Sequence, residues 1–333
     1  MSLYNTLKEL CLCPSVSGRE GAIRERLIEL IAPLCDEYRV DALGNLIAHK
    51  KGSGERVMLA AHMDEIGFIV NFIEDNGMIR IAPVGGVSLT ASAYSTVVSE
   101  KGVKGTVVPD DKVKPADFKA DAFYIDIGAT SKKRAEALVE IGDFFVVTPN
   151  IQRLSGGRVC GRPMDDRVGC AVLVEIARAL ADKQVDKDIY YVFSVQEEVG
   201  CRGAMTAAYA IAPDVALCFD VTATGDVPGA APMACKLGGG AAVKIKDASV
   251  ICSEKITGEL CRLAEENGVK YQREILTFGG TDTSAMQLAG SGAAVGALSV
   301  PTRYIHTPTE TFDLADAEAC VKLAVLFLTQ KAK

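Results

Sequence analysis

The run Val57-Met58-Leu59-Ala60-Ala61 constrains this chain more than any other stretch, because it is uninterruptedly apolar and then stops abruptly at His62-Met63-Asp64-Glu65. Five consecutive apolar residues suit a strand covered on both faces, as in a parallel sheet between helices; an alternating pattern would leave one face wet. In open α/β sheets the ligand crevice lies outside the carboxyl ends of the strands. A histidine and a carboxylate two residues apart at that point read first as a metal ligand and the acid that supports it.

The arrangement recurs. Ile189-Tyr190-Tyr191-Val192-Phe193-Ser194-Val195 runs into Gln196-Glu197-Glu198, and Val215-Ala216-Leu217-Cys218-Phe219 ends in Asp220. The apolar stretch 293–300 is followed by Pro301, Arg303, Tyr304 and His306, and Asp165-Asp166 stands ahead of a helix expected over 168–180. The expected fold is α/β, with a mixed, largely parallel sheet flanked by helices. Between Ile69 and Val147 the texture changes to short β-type runs broken by Asn76-Gly77, Gly85-Gly86, Lys101-Gly102 and Pro109-Asp110-Asp111, with one helix expected over 132–141. Residues 66–155 therefore read as a small β-rich domain inserted into a larger α/β domain made of 1–65 and 156–333. A chain of 333 residues is long enough for two cores.

Local signals supply the remaining elements. Helical spacing spans 2–12 and ends at Pro14, Ser17-Gly18-Arg19-Glu20 resembles a capping box ahead of Ile23, Leu27 and Ile31, and 38–48 reads as a hairpin. Further helices are expected over 250–267, after Gly279-Gly280-Thr281-Asp282, and over 314–328.

Several function classes are excluded. A net charge of −7 without a long basic block argues against nucleic acid and anionic membrane as partners. No run of about 18 apolar residues could span a bilayer, and the N-terminus has no basic-then-apolar leader, so a cytoplasmic protein is expected. Eleven scattered cysteines, many in apolar contexts, read as reduced structural thiols. Gly238-Gly239-Gly240 lacks the spacing of a nucleotide loop, and no G-x-x-x-x-G-K-[ST] occurs. His49, between a strand and Lys50-Lys51, reads as a structural histidine.

The strand-end donors form a coherent set. Imidazoles mixed with carboxylates suit Zn²⁺ or a similar borderline cation better than Ca²⁺ or Mg²⁺. His62 and His306 with three acids can serve two ions if one carboxylate bridges, and such a pair activates water and polarises a scissile carbonyl. One carboxylate outside the metal shell is then needed as general base; the Glu197-Glu198 pair can supply one residue to each task.

The stretches His62-Met63-Asp64-Glu65-Ile66-Gly67, Met164-Asp165-Asp166-Arg167, Gln196-Glu197-Glu198-Val199-Gly200, Phe219-Asp220-Val221-Thr222, Gly279-Gly280-Thr281-Asp282 and Arg303-Tyr304-Ile305-His306-Thr307-Pro308 resemble, in order and across nearly the whole chain, the cocatalytic metallo-aminopeptidases that include glutamyl, deblocking and tetrahedral aminopeptidases. The resemblance implies the fold of those aminopeptidases and the removal of N-terminal residues from peptides. It implies that His62 and Asp220 bind one metal, Glu198 and His306 the other, and that Asp165 bridges them. Asp64 would orient His62, and Glu197 would be the general base. It further implies two divalent ions per chain, Zn²⁺ or Co²⁺ first and Mn²⁺ next, and a homo-oligomer, commonly a tetrahedral dodecamer with internal sites, in which the inserted domain helps close the site and build the assembly. Asp282 is expected to support the site. Arg303 and Tyr304 either contact substrate or brace His306, and Asp166 caps its helix. Pro163-Met164 ahead of Asp165 and Thr283 after Asp282 depart from the family's usual residues and bear on pocket shape. Two other classes fit the residues less well. Glycoside hydrolysis, suggested by cellulase labels on some relatives, needs two carboxylates and no metal; a silent peptide-binding scaffold would have no use for a complete set of ligands and a base.

Overall fold

In a computed structural model, residues 2–330 are described. The chain opens with α1 (Leu3–Cys11) and α2 (Gly21–Ile31), then β1 (Glu37–Val40), β2 (Leu46–Lys50) and β3 (Arg56–His62). Next come β4 (Gly67–Ile73), β5 (Ile79–Val84), the single turn α3 (Leu89–Ser92), β6 (Thr96–Ser99), β7 (Lys104–Pro109), β8 (Phe123–Asp126), α4 (Lys132–Glu136) and β9 (Phe144–Val147). The remainder is β10 (Asn150–Arg153), β11 (Arg158–Arg162), α5 (Arg167–Leu180), β12 (Asp188–Ser194), α6 (Arg202–Ile211), β13 (Val215–Thr222), β14 (Ala241–Lys246), α7 (Glu254–Glu266), β15 (Tyr271–Ile275), α8 (Thr283–Gln287), β16 (Ala294–Arg303), β17 (Glu310–Asp313) and α9 (Leu314–Thr329).

The four apolar strands lie side by side and parallel, in the order β12-β3-β13-β16, at the centre of an 11-stranded mixed sheet. Their two-sided burial is visible residue by residue. Val57, Leu59 and Ala61 pack into the core shared with α1, α2, α5, α7 and α9, while Met58 and Ala60 pack with α6 and α8 on the opposite face. A period of two presented to helices on both sides leaves no position for a polar residue until the strand ends. From β3 the chain goes on to β12 on one side and later to β13 on the other, so the sheet reverses its winding at β3. Pairing of β3 with β13 stops at Ala60 and Cys218, two residues short of His62 and Asp220, and a crevice opens there.

Strands β4-β5-β8-β7-β6-β9 close into an antiparallel barrel with its own core, which includes Phe68, Ile81, Val97, Phe123, Ile125 and Phe145. Closure leaves it no free edge. Gly67 starts β4 where a Cβ would come 2.5 Å from Val16 and 2.6 Å from the Phe145 carbonyl, so only glycine fits as the chain leaves the sheet for the barrel.

Three local expectations are corrected. The capping box does not form: α2 begins at Gly21 without a side-chain cap, because Ser17 Oγ donates to Asp64 Oδ2 at 2.6 Å and Glu20 Oε1 accepts from the Gly18 and Gln196 amides. The helix expected over 132–141 ends at Glu136, since the Glu140 amide donates to the Asp143 side chain rather than to a helical carbonyl. The helix expected from 250 begins at Glu254, because the Val250 amide caps onto Asp247 and the Cys252 amide bonds to Ile245. His49 is structural, held by Asp188 at 2.7 Å and stacked on Tyr190.

Candidate metal centre

The ends of β3, β12, β13 and β16, with the turn before α5, bring His62, Asp165, Glu197, Glu198, Asp220 and His306 to one cavity of about 650 Å³. Asp165 lies between the histidines, Oδ1 3.0 Å from His62 Nε2 and Oδ2 3.3 Å from His306 Nε2. Glu198 Oε2 is 3.3 Å from the same His306 nitrogen, and Asp220 Oδ1 is 3.9 Å and Glu197 Oε2 4.0 Å from His62 Nε2. Donor atoms of His62, Asp165 and Glu198 lie within 4.8 Å of one another, as do those of His62, Asp166 and Asp220.

Both rings are held from behind by carbonyls. His62 Nδ1 is 3.1 Å from the Asp64 carbonyl and 3.4 Å from Asp64 Oδ1, and His306 Nδ1 is 2.9 Å from the carbonyl of Gly86, in the loop after β5 of the barrel. An Nδ1–H donated to each carbonyl leaves both Nε2 lone pairs facing the cluster, the tautomer a metal requires. Asp64 does more than face His62. Its carboxylate also accepts from the amides of Glu197 at 3.0 Å and Glu198 at 3.2 Å, so it sets the turn that presents both glutamates.

Sequence reasoning missed Glu310, buried on β17. Its Oε2 accepts from the Met164 and Asp165 amides at 2.6 and 3.2 Å, and its Oε1 from the His306 amide at 2.8 Å. It also missed the buried Arg167, whose guanidinium donates to the carbonyls of Leu10, Met63 and Cys13, to Ser15 Oγ and to Glu65 at 3.2 Å, and so ties the first segment of the chain to the strand carrying His62. Glu310 lies in no stretch that its neighbours single out, and Arg167, although it closes the stretch Met164-Asp165-Asp166-Arg167, carried no expected role. Asp166 caps α5 through the Gly169 amide, as expected. Asp282 accepts from Ser194 Oγ beneath the site. Arg303 braces no histidine: it pairs with Asp226, and Tyr304 is half exposed. The Arg162–Pro163 and Asp165–Asp166 peptides are cis. Gln196, Cys201, Tyr304 and His306 take left-handed backbone angles with φ of 56, 53, 61 and 63°, a concentration of strain around one cavity.

The electrostatics call for cations. Seven carboxylates, of Asp64, Asp165, Asp166, Glu197, Glu198, Asp220 and Asp282, surround two imidazoles. Burial, reinforced by mutual repulsion, pushes Glu197 and Asp220 well above the usual carboxylate range, and lifts Asp282 to about 6. Burial also disfavours the His306 cation, but Asp165 and Glu198 outweigh it and raise that group to about 11. Glu198 Oε1 and Asp282 Oδ1 are buried without a hydrogen-bond partner. Orphaned oxygens, excess negative charge and mixed nitrogen and oxygen donors fit bound divalent cations.

Residues 44–323 match the family model described as M42 glutamyl aminopeptidase. The chain is 45% identical to a putative aminopeptidase of Acetivibrio thermocellus over 97% of each protein, and 35% identical to the lysyl aminopeptidase of Pyrococcus furiosus over 98% of this chain and 97% of that one. Among solved structures it superposes on the TET1 peptidase of Pyrococcus horikoshii, which can assemble into a tetrahedron or a large octahedral shell, with a TM-score of 0.89 at 36% identity, covering 99% of this chain and 100% of the other.

Proposed function

The chain belongs to the M42 glutamyl aminopeptidase family and is a peptide hydrolase, and on that premise we propose that it removes N-terminal residues from peptides with the help of two divalent cations. His62 and Asp220 would hold one ion, Glu198 and His306 the other, and Asp165 would stand between them. The observation that carries this reading is the position of Asp165, one oxygen toward each histidine.

Ions bound there would polarise the scissile carbonyl and make an adjacent water a better nucleophile. Glu197 is the general base. It accepts the Cys201 thiol at 3.3 Å through Oε1, while Oε2 is turned to the His62 side. Its raised proton affinity, caused first by burial, suits a group that takes a proton from the attacking water and returns it to the departing amine. Asp64 orients His62 and fixes the backbone beneath Glu197 and Glu198. The barrel takes part through Gly86, whose carbonyl holds His306, consistent with an inserted domain that helps close the site.

The ions proposed are Zn²⁺ or Co²⁺, with Mn²⁺ third, since first-row ions compete for such sites by availability as well as affinity. A homo-oligomer, a tetrahedral dodecamer, is proposed by likeness to the tetrahedral peptidase. No helix among the described residues is long and apolar enough to cross a membrane.

Hydrolysis of aminoacyl-p-nitroanilides by metal-stripped protein, with Zn²⁺, Co²⁺ or Mn²⁺ titrated back, tests the proposal. Turnover should return as about two ions bind per chain. Two bound ions without turnover of any aminoacyl substrate would overturn it, and cellulose cleavage surviving chelation would favour a glycosidase instead.

A further inference from the structure

We infer that the cavity selects peptides whose N-terminal side chain is uncharged and apolar, of the leucyl, methionyl or phenylalanyl kind, because outside the metal centre it offers no unpaired charge. The inference rests on the aminopeptidase reading above.

Apart from the centre's own histidines and carboxylates, the one charged residue among those described in the cavity wall is Arg303. Its guanidinium is already engaged: Nε donates to Asp226 Oδ1 at 2.9 Å and Nη2 to Oδ2 at 2.7 Å, the bidentate geometry of a strong guanidinium–carboxylate pair. Asp226 Oδ2 also accepts the Leu237 amide at 3.1 Å. The hydrogen bonds from Arg303 hold the Asp226 carboxyl down at about 2, so the pair stays ionised on both sides and net neutral over the range in which a peptidase works. A glutamyl carboxylate approaching Arg303 meets the field of Asp226 as well, and a lysyl ammonium approaching Asp226 meets that of Arg303.

The rest of the wall is uncharged, its threonine hydroxyls at 222, 224, 281 and 302 and the Tyr304 phenol interleaved with apolar side chains. Val221, Ala223, Val227, Leu276, Phe278 and Ile305 line it, and Phe278 is 61% exposed, an apolar surface that a bound side chain of the same kind would cover. Desolvating an unpaired carboxylate or ammonium against such residues is unfavourable, whereas a hydrocarbon side chain gains from the same contact. Family membership does not choose between these outcomes, since one relative is a lysyl aminopeptidase and the family is described as glutamyl.

The test compares kcat/KM for leucyl, glutamyl and lysyl p-nitroanilides with the full-length, metal-loaded protein. The leucyl substrate should exceed both charged ones by about tenfold or more, the scale on which side-chain pockets discriminate. Two variants then uncover one charge each. Asp226→Asn leaves Arg303 unneutralised and should raise the glutamyl-to-leucyl ratio about tenfold; Arg303→Met leaves Asp226 unneutralised and should raise the lysyl-to-leucyl ratio similarly. Ratios measured within one variant are insensitive to a loss of folded protein. A wild-type preference for glutamyl or lysyl substrates, or ratios that move in neither variant, would overturn the selectivity while leaving the peptidase intact; absence of turnover on every aminoacyl substrate would instead remove the reading beneath it.

Discussion

Glu310 accepts the backbone amide of His306 through Oε1 at 2.8 Å, while its other oxygen accepts the amides of Met164 and Asp165, so one buried side chain joins the two loops that carry a histidine and the carboxylate between the histidines. Glu310→Ala would leave three inward amides without an acceptor, each costing about 1–3 kcal/mol. The expected result is a clear fall in melting temperature together with weaker metal retention after dialysis. A variant with unchanged melting and full metal content would show that the two loops are held elsewhere.

Glu197→Gln should keep the metals and lose turnover by roughly 10²–10⁴-fold, the usual contribution of a general base. Metal content by atomic emission, measured beside kcat, separates this from loss of a ligand. Retention of more than about a tenth of the activity would contradict the role.

Gly86→Ala tests the reach of the barrel into the site. A Cβ at this position would come 2.8 Å from His306 Nδ1, so the ring must shift off the carbonyl that orients it. Disturbing a partner of this kind typically costs about 10–100-fold in metal affinity or activity. Chelator competition should register that loss with little change in melting, because the added methyl meets the ring rather than a packed core.

Stability of the metal-free protein should fall in alkali. Interaction with Asp165 and Glu198 outweighs burial and raises the folded-state pKa of His306 to about 11, from an ordinary value of 6.5. A raised histidine pKa contributes stability that is complete below the unfolded value and lost as pH climbs through the folded one, here between about 6.5 and about 11. Thermal melts of metal-free protein across that window should decline more steeply than those of His306→Asn. Equal slopes would mean that the His306 proton is not bound more tightly in the folded chain.

Much of the fold was legible because its signals are local. The apolar runs of β3, β12, β13 and β16 state two-sided burial, and the polar residues at their ends follow from where the helices stop covering them. The β-rich character of the barrel showed as broken β-type runs, whereas β10, inside the unit expected over 66–155, pairs with β11 in the main sheet. What misled was chemistry with two possible partners: Ser17 has the spacing of a cap, yet its hydroxyl serves Asp64, 47 residues on. Lys132 to Ile141 kept a helical composition, but the Asp143 side chain takes the amide that would have continued the helix.

The sequence by itself determined the donor inventory of the site and its place at strand ends, because hydrophobic periodicity and strand termination are properties of neighbouring residues. Only the tertiary structure decided which oxygen of Asp165 faces which histidine, that Glu310 and Gly86 support the site, and that Arg303 is neutralised by Asp226, 77 residues away in the chain. Those pairings depend on sheet register and on loops meeting across the crevice, and a contact between residues far apart in sequence leaves no periodic trace in either segment.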